Sequence, residues 1–238
     1  MSAPPTPGQL IDDQMERASK ALLGTDYFQT EMLCERALDR SLMIGDLDRA
    51  ARIALPLQEA RRQLRQLATD SERVVLCDTR EVLEELGDTR RESASPAICC
   101  VLLAPPLLGI DGRNLHQTLR ASRVPGFVIT REPQTRDGLW PLVAVGRASY
   151  RVKVEPPANP AEPSLAWFES AAEALGDAAI ENCTDREGTA KRVATLYDAL
   201  TAMPHHEKLH QRFADACRAA LNRGVTSLES APSEEEAW

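Results

Sequence analysis

His205, His206 and His210, three of the chain's four histidines, stand within six positions of one another and form its most suggestive group of potential metal ligands or proton carriers. His206 and His210 are i, i+4, so on a helix both imidazoles reach one side and can share an ion. Cys217 falls on the same face by angle, but seven residues of helix carry it roughly 10 Å beyond His210. One ion cannot hold all three. With no acid or cysteine at a completing distance along the chain, the spacing predicts solvent-facing or capping histidines and no metal. A second group depends on the fold. If the apolar runs of the middle segment pair in parallel, their C-terminal ends gather Asp78, Thr79, Arg131 and Glu132 along one edge. Open α/β sheets bind ligands there, which makes these four the candidate ligand-binding residues; strand-end caps and ion pairs are the alternative. Gly109-x-x-Gly112 nearby is not a phosphate loop, because it lacks both the lysine and the G-x-G-x-x-G fingerprint. Arg61, Arg62 and Arg65 fan across about 100° of a helix, away from Leu57, Leu64 and Leu67, and are candidate partner contacts, a basic stripe suited to an acidic peptide or RNA. A solvated face balanced by nearby acids is the alternative. No aromatic interleaves with them to stack a base. No G-x-S-x-G, H-E-x-x-H or oriented Cys/His pair occurs, so no catalytic residue and no cofactor is expected.

Composition narrows the classes further. The 238 residues carry a net charge of -8, which argues against nucleic acid or an anionic membrane as partner. Aromatics are only 4%, so the cores must rest on Leu, Ala and Val, a composition that favours helices. Of the six cysteines, Cys77, Cys99 and Cys100 lie in apolar strand-like runs and Cys34 and Cys217 on helical patterns; with Cys183, and without a C-x-x-C, they read as buried thiols of a reducing compartment. The start has neither the basic nor the apolar region of a signal peptide, and no apolar run reaches the roughly 18 residues of a membrane span. The cytoplasm is the expected location.

The elements that must position these residues follow from periodicity. Residues 1–8 are Pro-rich and expected to be disordered. An N-terminal helical unit spans 9–70, with Gly24 and Gly45 ending its first two helices and Asp26 and Asp46 opening the next ones. Pro56 predicts a kink or break near Ala54–Leu55. An α/β domain over 73–156 follows. It has strands at Val74–Cys77, Ala97–Ala104 and Gly126–Thr130, and helices over Thr79–Leu86 and after a cap at Asp111. A hairpin joins Leu142–Val145 to Ser149–Val154. Residues 157–163 form a linker, 164–223 a C-terminal helical unit with breaks near Gly176–Thr184 and at Pro204, and 224–238 a loose acidic tail. The fold class is therefore α/β, mainly helical: an N-terminal helical unit, a small mixed sheet with crossover helices and a hairpin, and C-terminal helical hairpins.

Two stretches resemble tetratricopeptide repeats. Gly45-Asp46-Leu47-Asp48-Arg49-Ala50 is similar to the turn between the two helices of such a repeat. Ala199-Leu200 with Pro204, then Phe213-Ala214 and Cys217, resembles the end of one repeat and the start of the next. The likeness covers about half the chain, without a clean 34-residue period, and an ordinary helical bundle accounts for the same small residues. In that family a concave face binds a peptide. The middle segment is similar to the second half of a receiver domain: Val101-Leu102-Leu103-Ala104, Gly109, Asp111-Gly112, Val128-Ile129-Thr130 and Lys153. Thr130 and Lys153 match that family's switch hydroxyl and lysine, but Ala104 stands where the phosphoacceptor aspartate belongs, so the resemblance implies no phosphotransfer.

These readings lead to a non-catalytic adaptor or regulatory protein that binds a protein partner through repeat-like helices. The alternatives are a ligand-sensing or degenerate receiver-like signalling module, and an enzyme whose site lies at the strand C-terminal edge.

Overall fold

The computed structural model describes residues 4–88 and 99–227. Residues 89–98, which include the start of the strand expected at Ala97–Ala104, and most of the acidic tail lie outside the described residues. Eight helices and five strands are described, in the order α1 (Pro7–Leu23), α2 (Tyr27–Met43), α3 (Leu47–Thr69), β1 (Val74–Cys77), α4 (Arg80–Gly87), β2 (Cys99–Leu103), α5 (Gly109–Ala121), β3 (Gly126–Arg131), β4 (Trp140–Val145), β5 (Ser149–Val154), α6 (Leu165–Glu181), α7 (Ala190–Ala202) and α8 (Glu207–Asn222). The fold is α/β and mainly helical, as the periodicity predicts. The chain gathers into two compact units: Met1–Ala60 with Cys183–Tyr197 and Leu209–Trp238, and Arg61–Asn182 with Asp198–Lys208.

The first unit is all helix and draws on both ends of the chain. Helix α1 starts at Pro7, inside the stretch expected to be disordered. Thr6 supplies the reason: its Oγ1 accepts from Gln9 N at 3.3 Å, while its own N–H donates to Gln9 Oε1 at 2.7 Å, with proline at the first helical position. The α1 and α2 ends close in the same way. At the first, Asp26 N–H donates to the Ala21 carbonyl and Thr25 N–H to that of Leu22; at the second, Asp46 N–H reaches Ser41 and Gly45 N–H reaches Leu42. This closure puts its middle residue in the left-handed region: Gly45 at φ 71°, and Thr25 at φ 60°. Glycine takes that conformation without cost; a β-branched threonine does not. Replacing Thr25 by glycine should therefore stabilise the helical unit by about 0.5–1 kcal/mol. A urea midpoint that falls instead of rising would show that the exposed bond from Thr25 Oγ1 to the Gly24 carbonyl outweighs the backbone strain.

Ile11, Leu33, Leu38, Leu47, Ile53, Leu57 and Phe213 form this unit's buried apolar body. The two chain ends meet within it. Tyr197 donates its hydroxyl to the Asp39 carboxylate, and a Cβ added to Gly45 would stand 2.0 Å from the Thr226 carbonyl oxygen. Helix α3 runs unbroken through Pro56, so the break expected at Ala54–Leu55 does not form. Ile53, Ala54 and Leu57 are buried on either side of the proline, and that packing holds the helix across the missing donor.

The second unit is built on a five-stranded sheet in the order β1-β2-β3-β4-β5. The first three strands are parallel, with Val75 opposite Val101 and Val101 opposite Val128; the last two are antiparallel. Short parallel strands joined by single helices cross over with one hand, which places α4 and α5 on the same face. Alternation fills that face with Cys77, Val101 and Leu103 against Leu107, Leu115 and Leu119. Opposite, Phe127 meets Phe168 of α6 edge to face at 5.1 Å, and Cys100 Sγ donates to the Ala68 carbonyl at 3.8 Å. The Gly109 and Gly112 pair finds its use here: a Cβ would lie 2.7 Å from Val145 at the first position and 2.3 Å from Thr130 Oγ1 at the second. The two glycines let α5 lie close on the sheet. Asp111 does not open this helix, which starts two residues earlier. It sits in the first turn and accepts from Leu108 N at 2.8 Å.

Helix α6 continues through Gly176 to Glu181, and the break expected near Gly176–Thr184 falls at the far end of that range, from Asn182. Buried Ala172, Leu175 and Ala179 on either side outweigh the roughly 1 kcal/mol propensity penalty of a helical glycine.

Candidate functional site

At the strand C-terminal edge, pleating divides the four residues predicted there. Asp78 and Arg131 fall on the α6 side of the sheet, and the Asp78 carboxylate is near enough to favour the charged Arg131 guanidinium against the burial that lowers its pKa. That guanidinium lies 4.4 Å over the Trp140 ring, and its Nε is buried without an acceptor. Glu132 falls on the other side and pairs with Arg151 at 3.1 Å. Thr79 caps α4, accepting from Val82 N at 3.3 Å. Arg80 and Asp111 join across the same edge at 2.8 Å, a pair the sequence did not single out. The edge thus brings Asp78 and Arg131 together and uses Thr79 and Glu132 for structure. Thr130 is buried against Gly112, and Lys153 lies 3.9 Å from Asp137, so the two receiver-like positions face different neighbours.

The three arginines of α3 do not share one exposed face. Arg61 is buried and Arg62 exposed. Arg65 holds Glu173 of α6 at 3.1 Å and approaches Glu207 at 3.7 Å.

Arg65 leads to a cluster that sequence spacing could not assemble. Glu173 and Asp177 stand one turn apart on α6, where i, i+4 places both carboxylates on one face. Between them His206 arrives from the α7–α8 connection. Its Nε2 lies 3.2 Å from Glu173 Oε2 and 3.3 Å from Asp177 Oδ1, and its side chain is only 2% exposed. Gly176 admits the ring, since a Cβ there would stand 2.1 Å from His206 Cδ2. Lys208 Nζ closes the outer side, 2.8 Å from Asp177 and 3.8 Å from Glu173. Burial drives the His206 pKa below its ordinary 6.5, and the two carboxylates oppose that shift without reversing it. The imidazole is therefore neutral at pH 7. His205 turns away, packing edge-on against Phe127 and His116 at 5.2 and 5.3 Å. His210, the partner that helical spacing gave to His206, is buried in the helical unit. The sequence did carry a signal for the cluster: a glycine inside a helix, between two acids one turn apart.

The thiols are not poised for chemistry. Cys34, Cys77, Cys100, Cys183 and Cys217 are buried, with no disulfide among the described cysteines. Burial pushes Cys77 up to about 11 and Cys217 to about 12, so both stay protonated at neutral pH.

The helical unit leaves large apolar side chains in water. Met43 is 80% exposed, and Ile44 and Leu221 about half that. Met43 and Ile44 directly precede Gly45, which lies against the Thr226 backbone, and Leu221 stands in the last turn of α8. Leu23 and Leu55 are exposed elsewhere on the helical unit.

Fold and sites together define a mainly helical α/β protein, with an acid–histidine cluster in its sheet unit and exposed apolar side chains on its helical unit. No known protein family, no curated protein and no solved structure matches the chain. No helix among the described residues is long and apolar enough to cross a membrane.

Proposed function

We propose that this chain is a non-catalytic adaptor or regulatory protein that docks a protein partner on its helical unit. The observation that carries the reading is the exposure of Met43 and Ile44 directly before Gly45, where the chain ends meet, and of Leu221 in the last turn of α8. Single exposed apolar residues are ordinary on protein surfaces, whereas adjacent large ones such as Met43 and Ile44 favour an interaction site. The tetratricopeptide-like turn at Gly45–Asp46 lies at the same place, and the absence of a recognisable catalytic motif favours binding over chemistry. The tagged wild type, purified from native lysate, should retain a stoichiometric protein that Met43→Glu with Leu221→Glu loses while keeping its melting temperature. A wild type that emerges as a clean monomer, or equal retention by both forms, sinks the reading.

A further inference from the structure

We propose that Glu173, Asp177 and His206 form a site for a first-row divalent cation of the Zn2+ or Mn2+ type. One ligand atom from each residue lies within 4.8 Å of the other two. A tetrahedral ion with bonds of about 2.0–2.1 Å separates its ligand atoms by roughly 3.3–3.4 Å. The distances from His206 Nε2 to the two carboxylates, 3.2 and 3.3 Å, already stand at that length. Three protein ligands would leave one position for water or a ligand from outside on tetrahedral Zn2+, and three on six-coordinate Mn2+. One imidazole and two carboxylates suit borderline ions that accept both nitrogen and oxygen, rather than soft ions that want thiolates.

The surroundings place the ligands and name the competitor. Both acids come from one face of one helix, and Gly176 fixes how closely His206 approaches them. Arg65 bonds Glu173 through Oε1, leaving Oε2 toward His206, so it can stay as the outer partner that orients this carboxylate. Lys208 is different. Its ammonium sits on both Asp177 oxygens at 2.8 Å, on a side chain 56% exposed, and must swing into water for an ion to enter. Binding is thus an exchange of one lysine charge for a divalent one, and the lysine sets the affinity.

The test uses the full chain stripped with EDTA and titrated calorimetrically with Zn2+ and separately with Mn2+, with Co2+ absorption reporting the coordination. We expect one equivalent of Zn2+ or Mn2+ to bind. Glu173→Gln and Asp177→Asn should each weaken binding by tenfold or more, and Lys208→Met should tighten it on the order of tenfold by removing the competing charge. Those three positions are partly exposed, so their variants keep the fold, as circular dichroism will show, and they carry the test even if His206→Gln does not fold. Failure of the wild type to take up either ion overturns the proposal. So does uptake that Glu173→Gln and Asp177→Asn leave unchanged, which would locate the ion elsewhere.

Discussion

Phe168→Ala is expected to destabilise the sheet unit by about 3–5 kcal/mol, the range for removing a fully buried aromatic side chain. Phe168 has no exposed surface and stands in the first turn of α6, where Ser164 caps the helix by accepting from Trp167 N at 3.3 Å. Its ring meets Phe127 edge to face, a pair worth roughly 0.5–1.5 kcal/mol beyond the area it buries. With aromatics at only 4% of the chain, small aliphatic neighbours have little means of refilling a void of that size. Trp167 provides the contrast. It is half-buried, meets Trp140 edge-on at 5.7 Å and donates to the Glu155 carbonyl, so alanine there should cost clearly less. Urea unfolding followed by circular dichroism measures both. A loss below about 1 kcal/mol for Phe168→Ala would mean that α6 does not hold that face of the sheet, since a cavity this large cannot otherwise be so cheap.

The strands were legible because their signals are local. Val74–Cys77 and the run before Ala104 are continuous apolar stretches, as doubly covered strands must be, and Tyr150, Val152 and Val154 alternate with charges as a half-wet strand does. Helix starts were legible where a capping side chain stands at the right offset, as Asp26 and Asp46 do. Asp111 misled because an acid in the first turn, bonding back to the preceding N–H, looks in sequence like a cap. Pro56 misled, and Gly176 marked its break too early, for one shared reason: each penalises a helix locally, and each is outweighed by buried neighbours that periodicity shows but propensity does not price. The candidate sites were harder to read, since they depend on distant partners. Asp78 and Arg131 could be paired because parallel strands bring their C-terminal ends to one edge. His206 could not be paired with Glu173 and Asp177, which lie about thirty residues earlier, because no rule of spacing reaches across two helices and a loop. Arg65 looked like a surface contact for the same reason, since its partner Glu173 is 108 residues away.

Gly176→Ala should expel His206 from the cluster, and it tests the site through geometry instead of through ligands. The new Cβ would stand 2.1 Å from His206 Cδ2 and 2.3 Å from Cγ, so the ring, not a flexible tip, must give way. Alanine gains roughly 0.8–1.0 kcal/mol of helix propensity, while forcing a methyl into a packed site costs typically 1–3 kcal/mol. Net stability therefore falls modestly, but the change at His206 is large. In the wild type, burial keeps its pKa below 6.5 despite Glu173 and Asp177 alongside, with Lys208 and Arg65 pushing the same way as burial. A histidine in the unfolded chain binds its proton near 6.5, before the folded one does. The stability this residue contributes is thus complete above about pH 6.5 and is lost as pH falls toward its lower folded value. Expelled into water, the ring in Gly176→Ala should titrate near 6.5, and that part of the pH dependence should vanish. NMR titration of the His206 Cε1 proton, with urea midpoints taken from pH 5 to 7, reads both effects. An unchanged His206 titration in a folded Gly176→Ala protein would show that the ring does not lie against α6, and with it would fall the approach to Glu173 and Asp177 on which the cation site depends.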